Sequence, residues 1–376
     1  MTEEYEVRRY LPEYRPRILD LQRHLWGSNR ALNDAYFSWK YEQNPYASDI
    51  AIYLAFLGEQ AVGMRGFFGG RWEAGANRET VPIWSADDLV VAPEHRNRGV
   101  FTRIMTSAFA DLATDRSGFA LNLGGQDLTV LGSLTMGWRS IGRLRPLGLP
   151  SRAYNRLHRW RERLSRARVI WRVASSRLLK LPSRFDRLDE WTGPRSNGPD
   201  TIRVSRYPDP EGMAALIQGL AYDGRIRQLR DARYFDWRFR NPLREYRFLF
   251  AGGFPLSGYL VLHRSLSDRD AASPIHLSDW EASSREVAER LLHAALEGGR
   301  FPSIVAWSAA LPAWGTPLLE ARGFRPVQQA RTARGTNCGL VRPIQSGVPP
   351  AQWTAGGRSL LDEKSWDLRM LYSMTG

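Results

Sequence analysis

The chain has one cysteine in 376 residues, Cys338, so neither an intrachain disulfide nor a cysteine-based metal cluster can form. Its six histidines are scattered, and none pairs with another His, Cys or carboxylate at a zinc-type spacing, so no metal site is expected. Long uncharged apolar runs are missing, and the acidic opening Glu3, Glu4, Glu6 does not read as the basic and then apolar start of a secretory signal. These absences point to a reducing compartment, and the cytoplasm is the expected address. Lysine is nearly missing too, with only Lys40, Lys180 and Lys364, so the net charge of +14 is carried by arginine. That charge is uneven: from Ser151 to Glu190 there are twelve Arg or Lys against four Asp or Glu. Without aromatic-interleaved basic grooves or a binding motif, arginine bias alone does not make a nucleic-acid partner, and none is expected.

What is present is a pattern written twice. A chain of this length suggests roughly two domains. Asp34-Ala35-Tyr36-Phe37-Ser38-Trp39-Lys40-Tyr41-Glu42-Gln43-Asn44-Pro45 returns as Asp231-Ala232-Arg233-Tyr234-Phe235-Asp236-Trp237-Arg238-Phe239-Arg240-Asn241-Pro242. Each copy precedes a strand pair (50–57 with 61–68; 246–251 with 258–263), then a strand (83–91; 276–280), a helix (98–113; 285–297) and an apolar strand (119–123; 303–307). A short helix ending in Gly137-Trp138 or Gly323-Phe324 closes each unit. The expected organisation is a first unit over 1–145, a basic helix and flexible link over 146–200, a second unit over 201–345 and a tail over 346–376. The aromatic motif reads first as core, its cations as secondary readers of an acceptor.

In the joining segment, Tyr154, Leu157, Trp160, Leu164, Ala167, Trp171, Ala174, Leu178 and Leu181 step by three or four, which places them on one helical stripe with arginines opposite. This predicts a helix packed on the two units. The same composition suits peripheral docking of 151–181 on an anionic membrane or an acidic partner. The tail residues Leu360, Leu361, Trp366, Leu368, Met370, Leu371 and Tyr372 are apolar enough to pack back on a domain.

Chemistry concentrates in Val90-Val91-Ala92-Pro93-Glu94-His95-Arg96-Asn97-Arg98-Gly99-Val100-Phe101. A β-branched strand runs through a polar loop into an amphipathic helix whose start carries arginines and a glycine. The unpaired N–H groups of such a helix start, with Gly99 allowing close backbone approach, make an anion site suited to a phosphorylated cofactor. Arg96-Asn97-Arg98-Gly99-Val100-Phe101 resembles the pyrophosphate loop of the GNAT N-acyltransferase superfamily, whose pattern is Arg or Gln, two residues, Gly, one residue, Gly or Ala. It departs at Phe101, where the family has a small residue, so the helix must tilt or turn that ring away. The order of elements across 5–142 follows the family, and the repeated aromatic motif resembles tandem proteins among polysaccharide and natural-product acyltransferases.

The resemblance implies an α/β fold built on a mixed sheet, as two GNAT-like domains in tandem, binding acetyl-CoA or another acyl-CoA. It places the pantetheine arm along Leu89, Val90 and Val91, and the pyrophosphate on the amides of Arg96, Asn97, Arg98, Gly99, Val100 and Phe101. Direct acyl transfer to the amine of a small molecule, such as an amino sugar, amino acid or natural product, needs a base or a water relay near the strand. Asp87 and Asp88 sit there. Alternation points them to opposite faces, and Asp88 is slightly preferred as the base, while a bulge or a paired strand residue would explain either. The family's usual acid is a late-helix tyrosine, and here Ser133 or a water takes its place. Asn122 is a hydrogen-bonder to cofactor or substrate, or a turn cap. The second copy reads Asp279-Trp280-Glu281-Ala282-Ser283-Ser284-Arg285-Glu286 at the matching place, without glycine and with acids that would repel phosphates. It is expected to be a degenerate unit walling the cleft. A non-catalytic scaffold binding a membrane or protein partner is the alternative.

Overall fold

The computed structural model describes residues 4–47, 49–115, 118–124, 127–150, 184–191, 201–266, 274–299, 301, 303–309, 311–327 and 338–373. The expected joining helix over 151–181 and the flexible link over 192–199 lie outside these residues, and with them the proposed membrane-docking face. Among the described residues no helix is long and apolar enough to cross a membrane, and no group of His, Cys, Asp and Glu could hold a metal.

The first half contributes β1 (Glu6–Arg9), α1 (Arg15–Trp26), α2 (Arg30–Phe37), β2 (Ala51–Leu57), β3 (Gln60–Ala74), β4 (Glu79–Val91), α3 (Val100–Asp115), β5 (Phe119–Asn122), α4 (Asp127–Thr135), β6 (Arg139–Arg143) and β7 (Pro146–Pro150). The second half adds α5 (Arg184–Asp189), β8 (Ile202–Ser205), α6 (Pro210–Gly219), β9 (Arg227–Gln228), α7 (Ala232–Arg238), β10 (Arg244–Ala251), β11 (Gly258–Ser265), β12 (Ile275–Ala282), α8 (Arg285–Gly299), β13 (Ser303–Trp307), α9 (Gly315–Ala321), β14 (Arg325–Pro326) and β15 (Cys338–Pro343). Two mixed sheets result, ordered β1-β2-β3-β4-β5-β15-β6 and β14-β7-β13-β12-β11-β10-β8, with β9 attached to β3.

The halves exchange strands. β15 fills the gap between β5 and β6 in the first sheet, with Leu340 opposite both Asn122 and Ser140. β7 pairs with β13 and β14 in the second. The boundaries drawn from sequence at 146 and 345 therefore cut through both sheets. Each half supplies a strand whose backbone groups would otherwise be unpaired at an edge or a gap, and each sheet is completed by the other half.

Helices pack where their apolar stripes dictate. On α3, Val100, Ile104, Ala108 and Leu112 recur at intervals of four and are all buried against one face of the first sheet. On α8, Val287, Ala288, Leu291, Leu292 and Ala295 do the same for the second. Both late helices stop alike. Gly137 and Gly323 take positive φ, 86° and 90°, and the following Trp138 and Phe324 amides bond back to Ser133 and Leu319 at 3.2 and 3.1 Å. This is the helix stop in which glycine supplies the left-handed residue.

A third cluster joins the halves, and the repeated motif lies at its centre. Tyr36, Trp39, Tyr234 and Trp237 are buried, so the motif is aromatic core. Trp39 and Trp237 stack at 5.2 Å and 13°. Each indole N–H donates to the other's backbone carbonyl, at 2.7 and 2.8 Å, the reciprocity of a local two-fold contact. The tail packs beside it, with Leu360, Trp366, Leu368, Met370, Leu371 and Tyr372 buried, and Trp72 makes edge contacts with Trp366 and Tyr372.

Candidate functional site

β4 and β5 run parallel but stay paired only from Ile83 to Ser85, opposite Phe119 to Leu121. Beyond Ser85 the two strands part. From Ala86 to Val91, β4 pairs with β3 alone among the described residues, so no strand covers its other edge. Leu89 and Val91 are half-buried on this stretch and Val90 is buried. An extended ligand could add to that edge as a strand does.

At the end of the open edge, Arg96, Asn97, Arg98 and Gly99 are exposed, and α3 begins at Val100. Asn97 and Gly99 both take positive φ, 61° and 76°, a backbone form found in anion-binding turns. Nothing lies within 4 Å of where a Gly99 side chain would begin. Arg96 is partly committed, its Nε donating to the Val91 carbonyl at 3.1 Å. The Phe101 ring is turned away from the loop: a side-chain carbon placed on Gly132 of α4 would meet it at 2.9 Å, so Gly132 is the recess that receives it. The bulky residue at the small-residue position is thus accommodated by α4.

Asp87 and Asp88 do not alternate. Arg65 of β3 faces both Asp88 and Leu89, a β-bulge in which Asp88 takes φ 51°. The bulge lets both carboxylates reach the buried Lys40, whose Nζ lies 2.7 Å from Asp87 Oδ2 and 3.0 Å from Asp88 Oδ2 and donates to Tyr36 Oη at 3.1 Å. Tyr41 Oη donates to Asp88 Oδ2 at 2.7 Å. This approach requires Gly66, where a side-chain carbon would sit 1.9 Å from that hydroxyl. Asp88 is fully covered, and burial pushes its carboxyl up, against the pull of Lys40. Burial works to lower the Lys40 ammonium, but Asp87 and Asp88 together overcome it and hold the group above its ordinary value. Across the bulge, burial drives the Arg65 guanidinium down to about 10, and its Nε has no hydrogen-bond partner.

Only Asp87 of the pair borders open space. It lines a cleft at the fork of β4 and β5 with Phe68, Ser85, Leu121, Tyr372 and Ser373. The preference for Asp88 is therefore corrected: the bulge buries it behind the strand against Lys40 and Tyr41. Ser133 is also buried, and its hydroxyl donates to the Thr129 carbonyl at 2.7 Å within α4, away from that cleft. Asn122 is a turn cap through Oδ1, which accepts from Gly124 N at 3.0 Å, while its buried Nδ2 has no partner. Sequence reasoning missed Tyr41, Arg65 and the tail as neighbours of this site. The shared cation of the repeated motif was the available signal for Lys40.

The second unit lacks the loop for a structural reason. β12 ends at Ala282 and α8 begins at Arg285, leaving Ser283 and Ser284 where the first unit has Ala92 to Gly99. Of the acids expected to repel phosphates, Glu286 is exposed in the first turn of α8. Asp279 and Glu281 are buried and neutralised, Arg230 meeting them at 2.9 and 2.6 Å and Arg369 of the tail meeting Glu281 at 2.8 Å.

Residues 6–126 match the sequence profile of the acetyltransferase (GNAT) domain. No curated protein matches the chain in sequence. Among solved structures, a GCN5-related N-acetyltransferase from Anabaena variabilis superposes with a TM-score of 0.57 at 11% identity, covering 91% of this chain and 73% of its own. A GCN5-related N-acetyltransferase from Kribbella flavida gives 0.52 at 13%, over 91% and 72%. A tandem GNAT protein from the clavulanic acid biosynthesis pathway gives 0.55 at 14%, over 92% of this chain and 100% of its own. At these identities the likeness is one of fold, and it extends over both halves.

Proposed function

We propose that the protein, whose residues 6–126 match the acetyltransferase (GNAT) domain, takes an acyl group, acetyl, from acyl-CoA and passes it to the amine of a small molecule at the fork of β4 and β5. The observation that carries this reading is the coincidence of three features on one strand: a β4 edge that no strand covers, an exposed glycine-bearing loop at its end, and Asp87 on the wall of the cleft.

The residues present fit an acyl-CoA. The Arg96 to Phe101 amides and the start of α3 would hold the pyrophosphate, and the edge of Leu89 to Val91 would bond the pantetheine. The orphaned Asn122 Nδ2 is a donor in want of an acceptor at the same fork. Bound there, acyl-CoA supplies an activated thioester carbonyl. Asp87 takes or relays the proton that an ammonium must lose before its nitrogen can attack. Lys40 fixes the position of Asp87, its Nζ donating to Oδ2 at 2.7 Å. Phe68 and Leu121 exclude water from the fork. With the Ser133 hydroxyl spent inside α4, the departing thiolate is protonated from solvent.

The test is Asp87→Asn, assayed by thiol release from acetyl-CoA with an amino sugar, an α-amino acid and an arylalkylamine as acceptors. Turnover should fall on the order of a hundredfold or more, while acetyl-CoA affinity stays within a few-fold. Equal turnover in the two proteins would refute the role of Asp87.

A further inference from the structure

The two motif copies end on different cations with different tasks. Lys40 serves the carboxylates of the cleft. Arg238, its counterpart, meets no carboxylate among the described residues, although it is buried. Its Nε donates to the Leu371 carbonyl at 2.8 Å, one Nη to the Ser373 carbonyl at 3.0 Å, and the other Nη to Tyr246 Oη at 2.8 Å. The two gripped carbonyls straddle Tyr372, and Tyr372 and Ser373 are wall residues of the cleft beside Asp87. A cation of the second unit thus holds the tail in place against the site of the first.

We propose that Arg238 is a positioning residue that sets the length of acyl chain the site accepts. This rests on the acyl-CoA reading above. β4 rises about 3.3 Å per residue, and less across the bulge, so the four steps from Val91 to Asp87 span at most about 13 Å. A donor whose pyrophosphate sits at the loop and whose arm follows this edge brings its thioester to Asp87 and points its acyl end toward Ser85 and Leu121. There Phe68, Tyr372 and Ser373 narrow the cleft to a volume of about 10 Å³, roughly the room of one water. An acetyl methyl fits such a space, and a butyryl chain does not unless the tail moves. Upstream, the tail has separate anchors: Arg369 donates to the Trp280 carbonyl at 2.9 Å and to Glu281. Loss of the Arg238 clamp therefore frees 371–373 locally, without releasing the rest.

The experiment is calorimetric titration of the full chain with acetyl-CoA and with butyryl-CoA, which needs no acceptor. The unaltered protein should bind acetyl-CoA at least about tenfold more tightly, since each excluded methylene discriminates by about that factor or more. In Arg238→Met, which keeps bulk but loses the donors, the two constants should converge, and Arg238→Lys should fall between. Tyr372→Ala leaves Arg238 intact and should also converge them, so it carries the test if Arg238→Met does not fold. An unchanged ratio in folded variants, or equal binding of both donors by the unaltered protein, overturns the clamp. Binding of neither donor by the unaltered protein overturns the acyl-CoA reading, and the clamp with it.

Discussion

Replacing Lys40 by methionine leaves Asp87 and Asp88 side by side without the ammonium that joins them. At 2.7 and 3.0 Å each contact carries about 6 kcal/mol of attraction at an effective dielectric of about 20. Most of that offsets the desolvation of three buried or half-buried charges, and breaking such a set by removing one partner costs about 3–5 kcal/mol net. The cost should depend on pH with a definite sign. Burial already raises Asp88 above the usual carboxylate range, and losing Lys40 raises it further. A carboxyl whose folded pKa lies above its unfolded value destabilises the fold as pH rises from the unfolded pKa, about 3.9, through the folded one. The stability gap between parent and Lys40→Met should therefore be small near pH 4 and widen toward pH 7, by about 1.4 kcal/mol for each unit of added shift. Urea unfolding at a series of pH values measures this directly. A gap independent of pH would refute the assignment of Lys40 as the cation that opposes the burial of Asp88.

Two further outcomes follow from the geometry. Gly132→Ala would place a methyl 2.9 Å from the Phe101 ring and press it back toward the loop, so KM for acetyl-CoA should rise several-fold with kcat little changed; unchanged KM in a folded variant would contradict the recess. His276 is half-buried, stacks on His263 at 4.9 Å, and is pushed by desolvation and by Arg244 from 6.5 down to about 3. A folded pKa lowered in this way gives stability that is present above about 6.5 and lost as pH falls toward 3, of order 4 kcal/mol in all. His276→Phe should flatten that part of the acid-stability curve; equal acid sensitivity would contradict the desolvation.

Local patterns carried much of the architecture in the sequence. The Arg96 to Phe101 loop, the twice-written motif and the paired Gly-aromatic stops are contiguous segments whose spacing reflects backbone needs at that point of the chain, and each sits where its spacing implied. The strand exchange was not legible. Nothing in Pro146 to Pro150 or Cys338 to Pro343 says which sheet either will join, because partner choice depends on gaps left by distant strands. Asp88 was misplaced because period-two alternation fails at a bulge, and the left-handed φ at a non-glycine residue is imposed by tertiary contacts with Tyr41 and Lys40. The tail was legible as apolar. That it reaches the cleft depends on Arg238 and Arg369, more than 80 residues away in the case of Trp280 and Arg369.

Titration of acetyl-CoA against the parent protein and Gly99→Glu is the direct test of the Arg96 to Phe101 loop as an acyl-CoA site. Gly99 is exposed, has positive φ and faces open space, so the variant should keep the fold while a carboxylate and a strained backbone displace the pyrophosphate. Saturable binding by the parent that falls at least about a hundredfold in the variant, with thermal unfolding of both proteins still cooperative, is the expected result. Equal affinity in the two proteins, or no binding by the parent, would contradict it.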